Sequence, residues 1–347
     1  MTYISIILTA YNDATTVRQC LESIIAQENA DMQLECVIVD DCSTDDTLSI
    51  IRRIVGSYTG NISFHIYRHQ THHGHSRSRN TGLLRANGYY VLFVNATDTL
   101  QSGCIDTYMV NLMRHWDADV IIGNVNNVSQ GQILFKDLTS AKVIRGKGDV
   151  LLHEMLLSHL YLYACNKLVR KEILSSNQIV FAESQSYADL LWSFTVFSCV
   201  SSIVLLPDVT YNYYSHSINV ASLSEKWVNG LLGSYTATCD MLLDRAPRPE
   251  SSDDGYYQAH QLFIYGLMSH AALLQKEFPV NSQVRRELSH VRSRLISQTK
   301  NDGQKILYLY FKQEGSLLSG VFKNPFFKKF DQLVNGYRIM LDIIVGH

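Results

Sequence analysis

The stretch Leu34-Glu35-Cys36-Val37-Ile38-Val39-Asp40-Asp41-Cys42-Ser43-Thr44-Asp45-Asp46-Thr47 decides the fold. An apolar run of strand length stops at two carboxylates, and residues that favour a helix start follow at once. A strand that is apolar at all but one position, here Glu35, rather than alternating, is covered on both faces, as in a parallel sheet. Behind it, Leu48, Ile51, Ile54 and Val55 recur on one face of a helix. The same pairing precedes it. Ile4–Leu8 reads as a strand, and Val17, Cys20, Leu21, Ile24 and Ile25 fall at helical spacing. Ile62–Tyr67, Ser76–Arg85 and Tyr89–Val94 continue as strand, helix and strand. The alternation predicts βαβ units and a mostly parallel, Rossmann-like α/β sheet sandwiched by helices.

In such sheets ligands bind at the carboxyl ends of the strands. The informative positions are therefore Thr9 to Asn12, Asp40 to Thr44 and Asn95 to Asp98. Helix capping accounts for Ser43, Thr44 or Asp45 but leaves Asp40 and Asp41 unused, and these can accept hydrogen bonds from a base or a ribose. Asn95-Ala-Thr97-Asp98 places a carboxylate beside an amide. That pair can hold a divalent cation if diphosphate oxygens and water complete the shell, or Asp98 is a plain turn residue. Between these lies His69-Gln-Thr-His72-His73-Gly-His75-Ser-Arg77-Ser-Arg79-Asn80. His69 and His73 are four apart but precede the helix read at Ser76–Arg85, so the histidines lack the helical i, i+4 pairing of a zinc site, and no Cys or Glu lies nearby. The arginines at the following helix start suit an anionic ligand. For the histidines, a solvated loop is an equal alternative.

Lys+Arg is 30 and Asp+Glu is 32 in 347 residues, a net charge of -2 that gives no support to a nucleic-acid partner. With 46% hydrophobic and 18% charged residues the chain is not disordered, and its length suggests about two domains. The N-terminus lacks a signal peptide's basic region, and the longest later apolar stretch, Phe194 to Leu206, is too short to span a membrane. The seven cysteines are scattered and read as small buried hydrophobes of a cytoplasmic protein. From about residue 225 the pattern turns helical, in Trp227–Leu243, Tyr256–Phe278 and Ser282–Ile296, with Arg245–Gly255 as a linker. The expected division is 1–224 and 225–347, the latter serving the acceptor side, self-association or membrane contact. Phe322-Lys-Asn-Pro-Phe-Phe-Lys-Lys-Phe330 either lies on an anionic membrane surface or buries its phenylalanines in an ordinary helix.

As a set, these residues resemble family 2 glycosyltransferases of the GT-A fold, of bacterial type. Ser5-Ile-Ile-Leu-Thr9-Ala10-Tyr11-Asn12 is similar to the family's first strand, which ends Pro-x-Tyr-Asn, with Thr9 replacing Pro. Cys20 to Gln27 resembles its Cys-Leu-x-Ser-Ile-x-x-Gln helix, and Val39 to Asp45 its Val-Asp-Asp-Gly-Ser-Thr-Asp, with Cys42 for Gly. Ser78-Arg79-Asn80-Thr-Gly82 looks like Ala-Arg-Asn-x-Gly, and Asn166-Lys-Leu-Val-Arg-Lys171 like Asn-Lys-Leu-Tyr-Arg-Arg. Tyr187-Ala188-Asp189 stands where many members have Tyr-Glu-Asp, and Tyr211-Asn-Tyr-Tyr214 resembles the tyrosine-rich strand that follows. The ordered match covers about residues 4–216.

The resemblance implies an inverting hexosyl- or N-acetylhexosaminyltransferase of bacterial glycan biosynthesis. It would use a nucleotide-diphosphate sugar, a UDP-sugar foremost, and a glycan, polysaccharide or glycoprotein acceptor. By it, Thr9, Ala10, Tyr11, Asn12, Asp40, Asp41, Arg79, Asn95 and Asp98 contact the donor, and Asp189 is the catalytic base. Asp98 and His216 would hold Mn2+ or Mg2+. The family's Asp-x-Asp-Asp box stands here as Asn95-Ala-Thr97-Asp98, which should weaken the metal, since hard cations prefer charged oxygens. That loss motivates an alternative: a degenerate, non-catalytic GT-A module that binds glycan or scaffolds a partner transferase. A nucleotidyltransferase would instead need a Gly-rich basic loop where Thr9-Ala-Tyr-Asn-Asp13 stands. Homo-oligomerisation and peripheral contact with the inner membrane face stay open.

Overall fold

The computed structural model describes residues 3–28, 33–129, 131–134, 138–146, 163–183, 188–214, 224–245 and 278–298, with isolated helical positions between 264 and 275. Strand and helix alternate first: β1 (Ile4–Ala10), α1 (Val17–Ile25), β2 (Leu34–Asp40), α2 (Thr47–Ser57), β3 (Ser63–Arg68), α3 (His75–Arg85) and β4 (Tyr90–Asn95). Then come β5 (Thr99–Leu100), α4 (Cys104–Arg114), β6 (Val120–Asn127), β7 (Gln132–Ile133), β8 (Lys142–Arg145), β9 (Lys167–Arg170), α5 (Lys171–Ser176), α6 (Ala188–Cys199) and β10 (Ser202–Tyr213). The helices α7 (Glu225–Arg245) and α8 (Ser282–Gln298) close the described chain. The apolar stretch Phe194 to Leu206 is divided between α6 and β10. Among the described residues no helix is long and apolar enough to cross a membrane.

The chain divides into two compact units: 1–151 with 161–183 and 192–216, and 152–160 with 184–191 and 217–347. The first is built on a ten-stranded sheet of order β3-β2-β1-β4-β9-β6-β10-β5, with β7 on β6 and β8 on β10. β3, β2, β1 and β4 pair in parallel, while β9 lies antiparallel between β4 and β6. Every residue of β1 and β2 is buried, the polar Ser5, Thr9, Glu35 and Asp40 included, as strands covered on both faces require. Period two divides β1 between the faces. Ile4, Ile6 and Leu8 join the core with Cys20, Leu21 and Ile24 of α1, Ile51 of α2 and Tyr108 of α4. Ile7 faces α3, where a Cβ on Gly82 would collide with it. The glycine is what lets that helix lie close against the strand. Cys20, Cys36, Cys104 and Cys165 are buried in this core, Cys239 is buried in the second unit, and all seven cysteines are free thiols.

Glu35 is the one acid inside β2 and is 1% exposed. Ser5 Oγ, the Asn87 and Gly88 main-chain N–H groups and Asn87 Nδ2 all donate to it, tying β1, β2 and the turn before β4. Burial raises its pKa, but these donors outweigh it and hold the carboxyl below its ordinary 4.5. A depressed pKa means stability that is present above pH 4.5 and lost as the pH falls through the folded-state value. Glu35→Gln should therefore cost about 1–3 kcal/mol at neutral pH by urea unfolding. The difference from wild type should shrink below pH 4.5; a pH-independent difference would contradict this account.

In the second unit, Val228, Leu231, Leu232, Tyr235 and Cys239 of α7 and Val284, Leu288, Val291 and Leu295 of α8 form the buried faces. Asn281 Oδ1 caps α8 by accepting from Val284 N–H, and Asn281 N–H donates to Asn229 Oδ1 on α7. Arg294 bridges Asp240 and Asp244 across the pair. The expected linker and the aromatic, basic Phe322–Phe330 segment lie outside the described residues.

Candidate active site

Thr9 and Ala10 end β1 and are buried, while Tyr11 just beyond is 39% exposed. Asn12 turns the chain with a left-handed φ of 57, which Asn tolerates better than most residues. Its N–H donates to Ser43 Oγ (3.0 Å) and its Oδ1 accepts from Thr44 N–H (2.8 Å), so the loops after β1 and β2 are laced together. Cys42 also has a positive φ, 65, which gives a physical reason for a glycine at this position.

Asp40 ends β2 fully buried. Its Oδ2 pairs with Arg68 Nε at 3.3 Å and accepts from Ser43 N–H. Its Oδ1 has no hydrogen-bond partner among the described residues. Such an orphan is costly in a finished core and marks a place where a ligand donor would be welcome. Asp41 is 2% exposed and is wrapped by the histidine loop. His69 Nδ1 lies at 2.6 Å, His72 Nδ1 at 2.9 Å and Gly74 N–H at 2.6 Å, with His73 N–H also donating. Burial opposes its ionisation, yet these donors and the charge of His72 hold its pKa below the ordinary carboxylate range. The His72 ring stacks on Tyr11, 3.9 Å between centroids. His72, His73 and His75 are thus exposed yet held by polar contacts, and the histidines do not gather as zinc ligands. Among the described residues no three His, Cys, Asp or Glu side chains could hold a metal ion.

Arg79 on α3 is 3% exposed. Its guanidinium lies 5.0 Å over Phe181, which in turn stacks on Trp192. Its Nη2 donates to Asn95 Oδ1 at 3.1 Å, and His75 Nε2 meets the same oxygen at 3.2 Å. His75 Nδ1 reaches Thr9 Oγ1 at 3.3 Å, so this ring spans the ends of β1 and β4. Asn95 Nδ2 then donates to Asp98 Oδ2 (2.9 Å). Tyr211 OH donates to the same oxygen (2.7 Å), and Tyr214 N–H to Asp98 Oδ1 (3.1 Å). Asp98 is fully buried. A divalent cation needs carboxylate lone pairs at about 2.0–2.6 Å, and here both lone pairs of Oδ2 are directed at hydrogens. As arranged, the expected Asp98 ligand does not fit a cation.

The structure therefore joins Thr9, Arg79, Asn95 and Asp98 in one network and Tyr11 and Asp41 in another, both at the carboxyl edge of the sheet. Asp189 lies in the first turn of α6, half-buried, in the second unit. His216 and Tyr187 lie outside the described residues. Two contributors were not singled out in the sequence. His75 sits four residues before Arg79, which puts both on one face of α3. Asn80 clamps the 181–183 segment, accepting from Phe181 N–H and donating to Phe181 C=O and Glu183.

The sequence model of the family described as Glycosyl transferase family 2 matches residues 5–177. The poly(ribitol-phosphate) beta-N-acetylglucosaminyltransferase TarS of Staphylococcus aureus is 28% identical over 214 residues, 60% of this chain, and the chain spans only 35% of that relative's length. The crystal structure of S. aureus TarS 1-349 in complex with UDP-GlcNAc shares the fold, with a TM-score of 0.65 at 18% identity over 97% of this chain and 92% of that one. A mannosyltransferase from Pyrobaculum calidifontis, in complex with GDP-Man and Mn2+, superposes at 0.54 and 13% identity over 97% and 86%. With this match and its mixed α/β sheet, the chain belongs to glycosyl transferase family 2.

Proposed function

We propose that the chain is an inverting glycosyltransferase that moves a sugar from a nucleotide-diphosphate donor, a UDP-sugar foremost, to a hydroxyl of a glycan or glycoprotein. The observation that carries this is the convergence, at the ends of β1, β2 and β4, of an aromatic ring, two buried carboxylates and a buried guanidinium. Tyr11 offers a ring face to a base, and Asp40 and Asp41 offer acceptors to base N–H or ribose hydroxyls. Arg79 offers a charge to the diphosphate. Thr9, Ala10, Asn12, Asn95 and Asp98 complete the donor edge.

In the transfer, the acceptor O–H gives its proton to Asp189 while its oxygen bonds to the anomeric carbon. The bond from that carbon to the diphosphate oxygen breaks, and its electron pair leaves with the nucleoside diphosphate. Attack from the face opposite the leaving group inverts the centre. A cation of the kind the resemblance implies would supply charge to the departing diphosphate, but both lone pairs of Asp98 Oδ2 are taken by hydrogens, and no step here is routed through a metal. Donor binding and catalysis are assigned to residues 1–224 and the acceptor side or self-association to 225–347. Free, mostly buried thiols suit a cytoplasmic setting.

Release of UDP from UDP-GlcNAc and UDP-glucose, with poly(ribitol phosphate) and other bacterial glycans as acceptors, tests the activity. At least one pair should turn over. If no pair turns over, the degenerate, non-catalytic GT-A module that binds glycan or scaffolds a partner transferase, motivated by the eroded acidic box, replaces the enzyme.

A further inference from the structure

The Asn95 amide has only one orientation compatible with its neighbours. A guanidinium donates and never accepts, so the amide oxygen must face Arg79 Nη2. His75 Nε2 shares that oxygen and must carry a proton. The NH2 group is left for Asp98 Oδ2, an acceptor. A carboxylate at 95 would reverse this logic, because it would cancel the charge of Arg79 and face Asp98 with no hydrogen between them. The amide instead holds Arg79 without neutralising it and keeps His75 in place, while Asn95 Nδ2, Tyr211 OH and Tyr214 N–H satisfy Asp98.

We propose that Asn95 is a positioning residue that, braced by His75, sets Arg79 as the counter-charge for the donor's diphosphate, so that donor binding and transfer need no divalent cation. This rests on the donor assignment above and goes beyond it. The leaving oxygen keeps the bonding pair, and the charge it develops is met by a side chain fixed before the donor arrives. Preorganised donors of this kind do the electrostatic work that a bound cation does elsewhere. His75 has a distinct place in it, since it ties Thr9 on β1 to Asn95 on β4.

The test uses the full chain, UDP and uridine by calorimetry, and the electron paramagnetic resonance signal of free Mn2+. UDP should bind with an affinity that agrees within about two-fold in EDTA and in Mn2+, and the protein should leave the Mn2+ signal undiminished. His75→Ala should weaken UDP by roughly ten-fold, because Asn95 and with it the Arg79 guanidinium lose their brace, and leave uridine unchanged. A merely structural role for His75 would weaken both ligands alike. Asn95→Asp should create a site that takes up Mn2+ and should make UDP binding Mn2+-dependent by about ten-fold or more. If that variant does not fold, judged by circular dichroism, the wild-type comparison and His75→Ala decide alone. UDP binding that wild type shows only with Mn2+, or Mn2+ uptake that Asp98→Asn abolishes, overturns the inference and leaves the donor reading intact. Failure of UDP to bind under either condition removes the donor reading itself and this inference with it.

Discussion

Asp189→Asn should lower the rate of sugar transfer by about 10²–10⁴-fold, the usual worth of a positioned general base, while UDP affinity stays within about two-fold of wild type. The substitution keeps size and shape and removes only the capacity to take a proton. An acceptor hydroxyl is a poor nucleophile until its proton has somewhere to go, so the loss falls on turnover and not on donor binding. Asp189 opens α6 and is its acidic first-turn residue. A carboxylate there is favoured in its ionised form by the helix dipole, which keeps it ready to accept. Single-turnover transfer and UDP calorimetry on the same preparations separate the two effects. A variant with wild-type turnover would place the base elsewhere, and one that loses UDP binding in parallel would make Asp189 a structural residue.

The parallel half of the sheet was legible because its signal is local. Apolar runs at Ile4–Leu8 and Leu34–Val39, interrupted only by Ser5 and Glu35, are buried between two layers, and the helical spacing behind each supplies a layer. The insertion of β9 between β4 and β6 was not legible, because its antiparallel pairing depends on partners 76–80 residues away on β4 and 45–49 residues away on β6. The strand-end rule found Thr9, Asp40, Asp41, Asn95 and Asp98 as candidates but not their partners. No residue-type pattern shows that His72 stacks on Tyr11, or that Asp98 is met by donors from Asn95, Tyr211 and Tyr214. Charge counting likewise read the loss of two acids as a weakened cation site. The orientation of the Asn95 amide turns it into a different electrostatic arrangement.

Asn166→Ala should destabilise the first unit by about 3–5 kcal/mol, which lowers its melting temperature by roughly 10 °C. The motif Asn166-Lys-Leu reads in sequence as a family marker without chemistry, and the structure supplies the reason for it. Asn166 is fully buried just before β9 and has a left-handed φ of 61. Its Oδ1 accepts from Tyr108 OH (2.9 Å) on α4 and Thr210 Oγ1 (2.6 Å) on β10. Its Nδ2 donates to Gly123 C=O (2.6 Å) and Asn124 C=O (3.3 Å) on β6. Removing the amide leaves two hydroxyls and two carbonyls without this partner in a region closed to water, and such groups cost more than the bond itself was worth. The backbone adds a second contribution, since alanine at positive φ is strained where asparagine and glycine are tolerated. Asn166→Gly should therefore recover about 1 kcal/mol relative to Asn166→Ala, although it lacks the same amide. Thermal unfolding by circular dichroism at neutral pH separates the two contributions. Equal losses would mean that backbone strain contributes nothing, and a loss under about 1 kcal/mol in both would mean that the network is dispensable. The damage should also reach the donor edge. Thr210 is followed by Tyr211, whose hydroxyl donates to Asp98, so an Asn166 variant that still folds should bind UDP less tightly although it touches no ligand.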